Sequence, residues 1–369
     1  MRYPLASSTW NHREIEAIGS VLGSGRYTMG SRVKEFEEQF ADHFGARHAV
    51  MVNSGSSANL LAVAAMRYRN DALQPGQEVI VPSVSWGTTY YPLHQYGLRL
   101  NFVDVDLDTL NMDLDAVEEA ITSGTRAIFA VNLLGAPNDF NRLREICAKW
   151  DLILLEDNCE SMGATYDGKY AGTFGICGTF STFFSHHICT MEGGVILTDD
   201  EEVFQIITSL RAHGWTRELP ADSFVHKKSD DPFYETFRFV LPGYNVRPLE
   251  ISAAAGLAQG AARRLPRSPP AECRAFRRAF RQPGLCPHSK ADWRQLMVRL
   301  LVDPGGSACG AEGRSREATD GCRRRVQAHS RRRLHQEPGH SIFRLPDPRR
   351  PEEHSESGSR RILRRQPPL

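Results

Sequence analysis

The chain has 369 residues, enough for one large α/β unit or two ordinary domains around a sizeable core. Its 45 Lys and Arg nearly balance 44 Asp and Glu, but the charges are divided: residues 1–260 carry 20 basic and 33 acidic side chains, residues 261–369 carry 25 and 11. The opening MRYPLASSTWNHREIEAI lacks the apolar segment of a secretory signal and no run nears the roughly 18 apolar residues of a membrane span, so a cytoplasmic location is expected; the 8 cysteines show no CxC or CxxC spacing, which argues against a zinc or iron–sulfur centre.

From about residue 30 to 260, helix-period and strand-like segments alternate. VKEFEEQFADHFG reads as an amphipathic helix closed by glycine, HAVMVN as a short apolar strand, SSANLLAVAAM as a helix, EVIVPS as a strand and LDAVEEAI as a helix. RAIFAVNLLG, LILLED and GVILTDD are further strand-like runs, with helical stretches such as DFNRLREICAKW between them. Alternation of this kind predicts βαβ units and a mostly parallel sheet covered by helices on both faces, with sites at the carboxyl ends of the strands.

After about residue 260 the pattern fails. Residues 261–369 hold 24 arginines, one lysine and 12 of the 21 prolines, and neither tyrosine nor asparagine. Such a composition does not make an ordinary core. Two readings compete: a disordered basic tail that binds acidic partners, or an out-of-frame translation of a GC-rich coding region, whose residue bias it matches.

Four clusters carry chemistry. NSGSSANLLAV (53–63) passes from a strand through Gly and Ser into a helix, where free N–H groups make an anion cradle and Gly55 and Ser56 admit a phosphate; a plain N-cap explains the same letters. In VPSVSWGTTYY (81–91), Trp86 falls just past a strand end, either to cover a flat ring or to pack half-buried. LILLEDNCES (152–161) ends an apolar strand in Glu156, Asp157 and Glu160, and an acid there caps the next helix or keeps a pyridinium nitrogen protonated. FFSHHICTMEGG (183–194) sets His186 and His187 between a Ser-rich strand that holds Ser181 and a glycine pair.

Phosphate loop, stacking aromatic, strand-end Asp and EGG, in this order, resemble the fold-type-I pyridoxal phosphate enzymes, and within them the DegT/DnrJ/EryC1/StrS sugar aminotransferase family. The resemblance covers residues 1 to about 260, through YPLASSTW, NSGSSANL, LLEDNCES, MEGG, RAHGWTR and GYNVRP. It implies a PLP-dependent transferase fold for 1–260, a homodimer with shared active sites, and a small C-terminal domain that 261–369 does not resemble. Most members carry a lysine that binds the cofactor covalently, six positions before the Glu of EGG; here that position is His186, and no lysine occurs between Lys169 and Lys227.

The stretch SHHxxTMEGG is similar to a lysine-free subgroup, the 4-keto-6-deoxysugar 3-dehydratases. This implies removal of the C3 hydroxyl from a nucleotide-linked 4-keto-6-deoxyhexose, GDP-4-keto-6-deoxymannose being the expected substrate, in colitose and O-antigen synthesis. Pyridoxamine or pyridoxal 5′-phosphate is the implied cofactor and L-glutamate the amino donor. A histidine cannot capture the cofactor's aldehyde as lysine does, yet with an ordinary pKa of about 6.5 it can accept a proton and return one to a departing hydroxyl.

By the same resemblance His186 is the acid/base, with His187 a structural neighbour. Asp157 pairs with the pyridine nitrogen, Trp86 stacks on the ring, Gly55, Ser56 and Ser181 contact the phosphate, and Glu160 lies near the cofactor's O3′ or the substrate. His213 touches sugar or nucleotide, and Asn245 reaches the phosphate of the neighbouring subunit. The competing expectations are a lysine-free relative without activity and a nucleic-acid binder acting through the basic tail, the latter marked by salt-sensitive binding.

Overall fold

The computed structural model describes residues 10–106 and 108–262. The reading of 261–369 falls outside them, apart from two residues that end a helix. The chain opens with α1 (His12–Ser24) and α2 (Ser31–Phe44), followed by β1 (His48–Val52), α3 (Gly55–Tyr68), β2 (Glu78–Pro82), α4 (Gly87–Gln95) and β3 (Arg99–Val103). Next come α5 (Leu114–Ala120), β4 (Thr125–Val131), α6 (Phe140–Trp150), β5 (Ile153–Asp157) and the small hairpin β6 (Thr165–Tyr166) and β7 (Lys169–Tyr170). β8 (Cys177–Ser181), β9 (Gly194–Thr198), α7 (Glu201–Arg211), α8 (Pro232–Thr236) and α9 (Glu250–Ala262) complete it.

Seven strands form one sheet in the order β1-β9-β8-β5-β4-β2-β3. β2, β3, β4, β5 and β8 pair in parallel, while β9 runs against both of its neighbours, β1 and β8. Residues 182–193, between β8 and β9, form no helix, so the chain turns back instead of crossing over the sheet, and antiparallel pairing follows. The expected mostly parallel sheet is therefore present, with one reversed strand inside it.

The strands are apolar on both faces because both are covered. Val79 and Val81 pack with Leu61, Phe129, Ile207 and Leu210 on the side of α3 and α7. Ile80, between them, points the other way into a cluster with Val117, Ile128, Phe140 and Leu143 from α5 and α6. A third cluster joins Phe36, Phe40 and Phe44 of α2 to Met51, Phe180, Val195 and Leu197. Helices begin where a side chain satisfies their first N–H groups. Ser54 caps α3 through the N–H of Ser57, and Asn11 with Glu14 forms a capping box on α1. α2 is capped from far away: Glu250, the first residue of α9, accepts from the N–H groups of Gly30, Arg32 and Val33 at 2.7, 3.0 and 3.0 Å.

Glu156 and Asp157, adjacent at the end of β5, face opposite sides of the sheet. Glu156 is fully buried and accepts from the backbone N–H groups of Gly172, Phe174 and Gly175 at 2.6, 2.6 and 2.7 Å, and from Asn132 at 3.4 Å. It therefore ties the β7–β8 connection to β5 and takes no part in the site. Both oxygens are engaged, and glutamine would turn an NH₂ toward one set of donors. Glu156→Gln is expected to cost about 1–3 kcal/mol, read as a lower midpoint in thermal or denaturant unfolding.

Candidate active site

The carboxyl ends of β1, β5 and β8 lie at one edge of the sheet, and the reversed β9 begins there, with Gly194 opposite both Val52 and Ser181. Their loops converge at this edge. Gly55, the first residue of α3, is where helix and sheet meet: a Cβ there would fall 2.6 Å from Ser181 Cβ and 3.1 Å from Cys159 Sγ. Its missing side chain is thus used to bring the start of α3 against the end of β8. The first N–H groups of α3 have no acceptor within the helix, and Ser56 beside them is exposed, its hydroxyl donating to Thr88 Oγ1 at 3.0 Å. Ser54 supplies the cap that the plain N-cap reading expects, and Gly55 and Ser56 lie beyond it at the start of the helix.

Thr88 belongs to α4, whose N-cap residue is Trp86. The Trp86 ring is 72% exposed, so the half-buried packing role does not apply and its face is open to a planar partner. One turn on, Thr89 is fully buried and donates to Asp157 Oδ2 at 2.8 Å. Asn59 donates to the same oxygen at 2.8 Å and accepts from Thr179 at 2.5 Å. Asp157 Oδ1 receives the N–H of Cys159 at 3.1 Å. Held by three donors, the 5% exposed carboxylate keeps acceptor capacity at the strand tip. Neither Asn59 nor Thr89 stood out in the sequence; the one available signal was a polar side chain on the buried face of SSANLLAVAAM.

His186 lies on the loop 182–193, which is tied off at its base. Thr182 and Thr190 bond through their hydroxyls at 2.6 Å, and the N–H of Thr190 donates to Thr182 O at 2.9 Å. A Cβ at Gly193 would lie 2.3 Å from both hydroxyls, and one at Gly194 would lie 2.3 Å from Ser54 O, so the two glycines of EGG are fixed by packing. Burial, and then the neighbouring His187, lowers the His186 pKa from its ordinary 6.5, while the negative charge of Asp157 opposes them. His186 is therefore neutral at neutral pH and within electrostatic reach of Asp157.

Glu160 stands nearby at the start of the β5–β6 connection. Burial raises its pKa, the N–H of Leu134, 3.4 Å from Oε2, works against this, and the charge of Asp157 adds to it. The Cys159 thiol is likewise pushed up, first by burial and then by Asp157, and stays neutral. His213 and Asn245 belong to two other segments of the chain. Asn245 opposes Ala212 in an isolated pairing, beside which the His213 N–H donates to Tyr244 O at 2.7 Å. His213 and Asn245 are both exposed, and the neighbouring Val246 O accepts from the N–H of Asn53 at 3.0 Å, beside the phosphate loop.

The residues present fit a flat phosphorylated pyridine. An exposed helix start, an open indole face and a buried, well-held carboxylate are joined by the chain Ser56–Thr88, Thr89–Asp157, with His186 in the field of Asp157. The model of the DegT/DnrJ/EryC1/StrS aminotransferase family matches residues 9–264. The chain is 59% identical over 269 residues to a GDP-4-keto-6-deoxy-D-mannose 3-dehydratase of Escherichia coli O55:H7, covering 72% of this chain and 69% of that protein. Among solved structures it is similar to a GDP-4-keto-6-deoxymannose-3-dehydratase, ColD, carrying a histidine-to-asparagine mutation and bound GDP-perosamine: TM-score 0.68, 60% identity, 70% of this chain and 67% of that one. It is also similar to a GDP-4-keto-6-deoxymannose-3-dehydratase with a trapped PLP–glutamate geminal diamine, with TM-score 0.68, 59% identity and coverage of 70% and 67%. The matches span about two thirds of the length of these relatives.

Proposed function

Since the chain belongs to the DegT/DnrJ/EryC1/StrS aminotransferase family, we propose that it removes the C3 hydroxyl of GDP-4-keto-6-deoxymannose with pyridoxamine or pyridoxal phosphate. The observation that carries this reading is His186 at the place of the family lysine, on a loop fixed at its base and sensing the charge of Asp157. When bound, the cofactor supplies an amine for the C4 ketone and a ring that takes up electrons. The chain's residues do the rest. The Asp157 carboxylate, oriented by Asn59 and Thr89, accepts from the ring nitrogen. Trp86 covers the ring, while Gly55, Ser56 and Ser181 hold the phosphate at the start of α3. Glu160, whose carboxyl burial and the charge of Asp157 push up, lies near the cofactor's O3′ or the sugar. A neutral His186 has a free lone pair for a proton and, once charged, hands it to the departing C3 oxygen.

L-glutamate as amino donor is supported by the relative trapped with a PLP–glutamate adduct. The GDP-perosamine bound by another relative supports a GDP-sugar as substrate. The exposed Asn245 and His213 suit contacts outside the cofactor group, Asn245 with the phosphate of a second subunit in a homodimer and His213 with the sugar nucleotide. The product feeds deoxysugar synthesis for O-antigen, in the cytoplasm.

The test is incubation of the purified full chain with pyridoxamine phosphate, L-glutamate and GDP-4-keto-6-deoxymannose, followed by mass spectrometry. A product lighter by one oxygen is expected; a protein that binds the cofactor yet yields only an amino sugar would overturn the reading. The pH profile gives a second check. Because His186 is held below 6.5 and acts first as a base, kcat/KM should rise with pH along an acid limb whose midpoint lies below 6.5.

A further inference from the structure

We propose that Gln259, near the end of α9, is a positioning residue for His186: its side-chain amide clamps the backbone of Cys189 and fixes the loop that presents the imidazole. The inference rests on the reading of His186 as the acid/base.

Gln259 is 1% exposed. Its Oε1 accepts from the N–H of Cys189 at 2.9 Å and its Nε2 donates to Cys189 O at 3.1 Å, so the side chain pairs with both backbone groups of one residue much as a neighbouring strand would. The same carbonyl accepts from the indole Nε1 of Trp10 at 2.9 Å. α9 also touches the loop through Gly256, where a Cβ would lie 3.0 Å from Thr190 Cγ2 and 2.6 Å from Phe36 Cε2; only glycine allows the helix this near. Ile188, 3% exposed, packs with Phe36, Phe40 and Ala253.

Residues 188–190 are thus held in three ways by α9 and its neighbours. The tip is held by the His186 N–H, which donates to Phe183 O at 2.9 Å. The placement of the imidazole is accordingly inherited from Cys189, three residues along. Both polar atoms of Gln259 are committed to that residue, and an apolar side chain of the same length would leave a buried N–H without an acceptor.

The test uses the full chain with Gln259→Met, Gln259→Glu and Trp10→Phe. Gln259→Glu keeps the acceptor and loses the donor, and Trp10→Phe removes one bond to Cys189 O while leaving both Gln259 bonds in place. Two readouts apply: hydrogen exchange of peptides covering 183–191 against peptides from α6, and the His186 ring titration by NMR, assigned against His186→Asn. The groups facing this ring are His187 and Asp157.

In Gln259→Met, which removes both hydrogen bonds to Cys189, exchange in the loop should rise by at least about tenfold relative to α6. The His186 titration should move up toward 6.5 as the ring gains water. Gln259→Glu and Trp10→Phe should show smaller changes in the same direction. Exchange that quickens equally in α6, or a His186 titration that stays put in both Gln259→Met and Trp10→Phe, overturns the clamp. Turnover of His186→Asn at the wild-type rate would instead remove the acid/base reading and leave the exchange result standing, so the two failures are distinguishable.

Discussion

His186→Asn loses turnover by about two to four orders of magnitude while still retaining the cofactor and unfolding near the wild-type temperature. Asparagine has similar reach and polarity but no proton to exchange near neutral pH. The anchors of the loop, namely Ile188 in its cluster, Cys189 on Gln259 and the Thr182–Thr190 pair, do not involve the imidazole. Single-turnover mass spectrometry reads the chemistry, and the visible spectrum of the bound cofactor shows that binding survives. If the variant kept its rate, the proton transfers would have to move to another group. Glu160, whose carboxyl is pushed up by burial and by Asp157, would be the first candidate.

Arg211→Ala is expected to lower the unfolding free energy by about 3–5 kcal/mol, the usual cost of stranding one member of a buried ion pair. Arg211, 4% exposed, donates to Glu37 at 2.5 Å, to Met51 O at 2.8 Å and to Glu218 at 3.1 Å, and Glu37 accepts from the N–H of Met51 at 2.7 Å. Burial works against the Arg211 charge, but Glu37 and Glu218 more than offset it and raise its pKa. The pair thus occupies the N–H and C=O that the outer edge of β1 would otherwise present to another strand. Denaturant unfolding measures the loss. A double replacement, Glu37→Leu with Arg211→Leu, should recover part of it, since no charge is then left alone. An Arg211→Ala protein as stable as wild type would mean that water reaches Glu37.

The strands legible in the sequence were those buried on both faces. HAVMVN, EVIVPS, LILLED and GVILTDD became β1, β2, β5 and β9 because their continuous apolar runs face helices on either side. RLNFV was not recognised as β3, since it closes one end of the sheet with Arg99 and Phe102 exposed. The reversal of β9 was also hidden, because an apolar run has no direction; the helix-free loop before it carries that information. At the site, the order of motifs singled out Gly55, Ser56, Trp86, Asp157, Ser181 and His186; contacts join Gly55 to Ser181, and Ser56 and Asp157 to the first turn of α4, while His186 senses Asp157 through its charge. Asn59, Thr89 and Gln259 left no comparable trace. Their partners lie 98, 68 and 70 residues away, and a hydrogen bond across such a distance leaves no local pattern to read.

The place of β9 between β1 and β8 bears on how the polypeptide emerges from the ribosome. β2, β3, β4 and β5 can zip together as soon as each is made, through neighbours close in sequence. β1 is synthesised before all of them, yet its one neighbour in the seven-stranded sheet is not complete until residue 198. Until then Met51 waits without its strand partner, and the phenylalanines of α2 wait longer still, for Ala253 of α9, a long-range closure of the kind that slows folding and invites association between nascent chains. A nascent chain halted before residue 194 should therefore be held by chaperones, and one extended past α9 should be released.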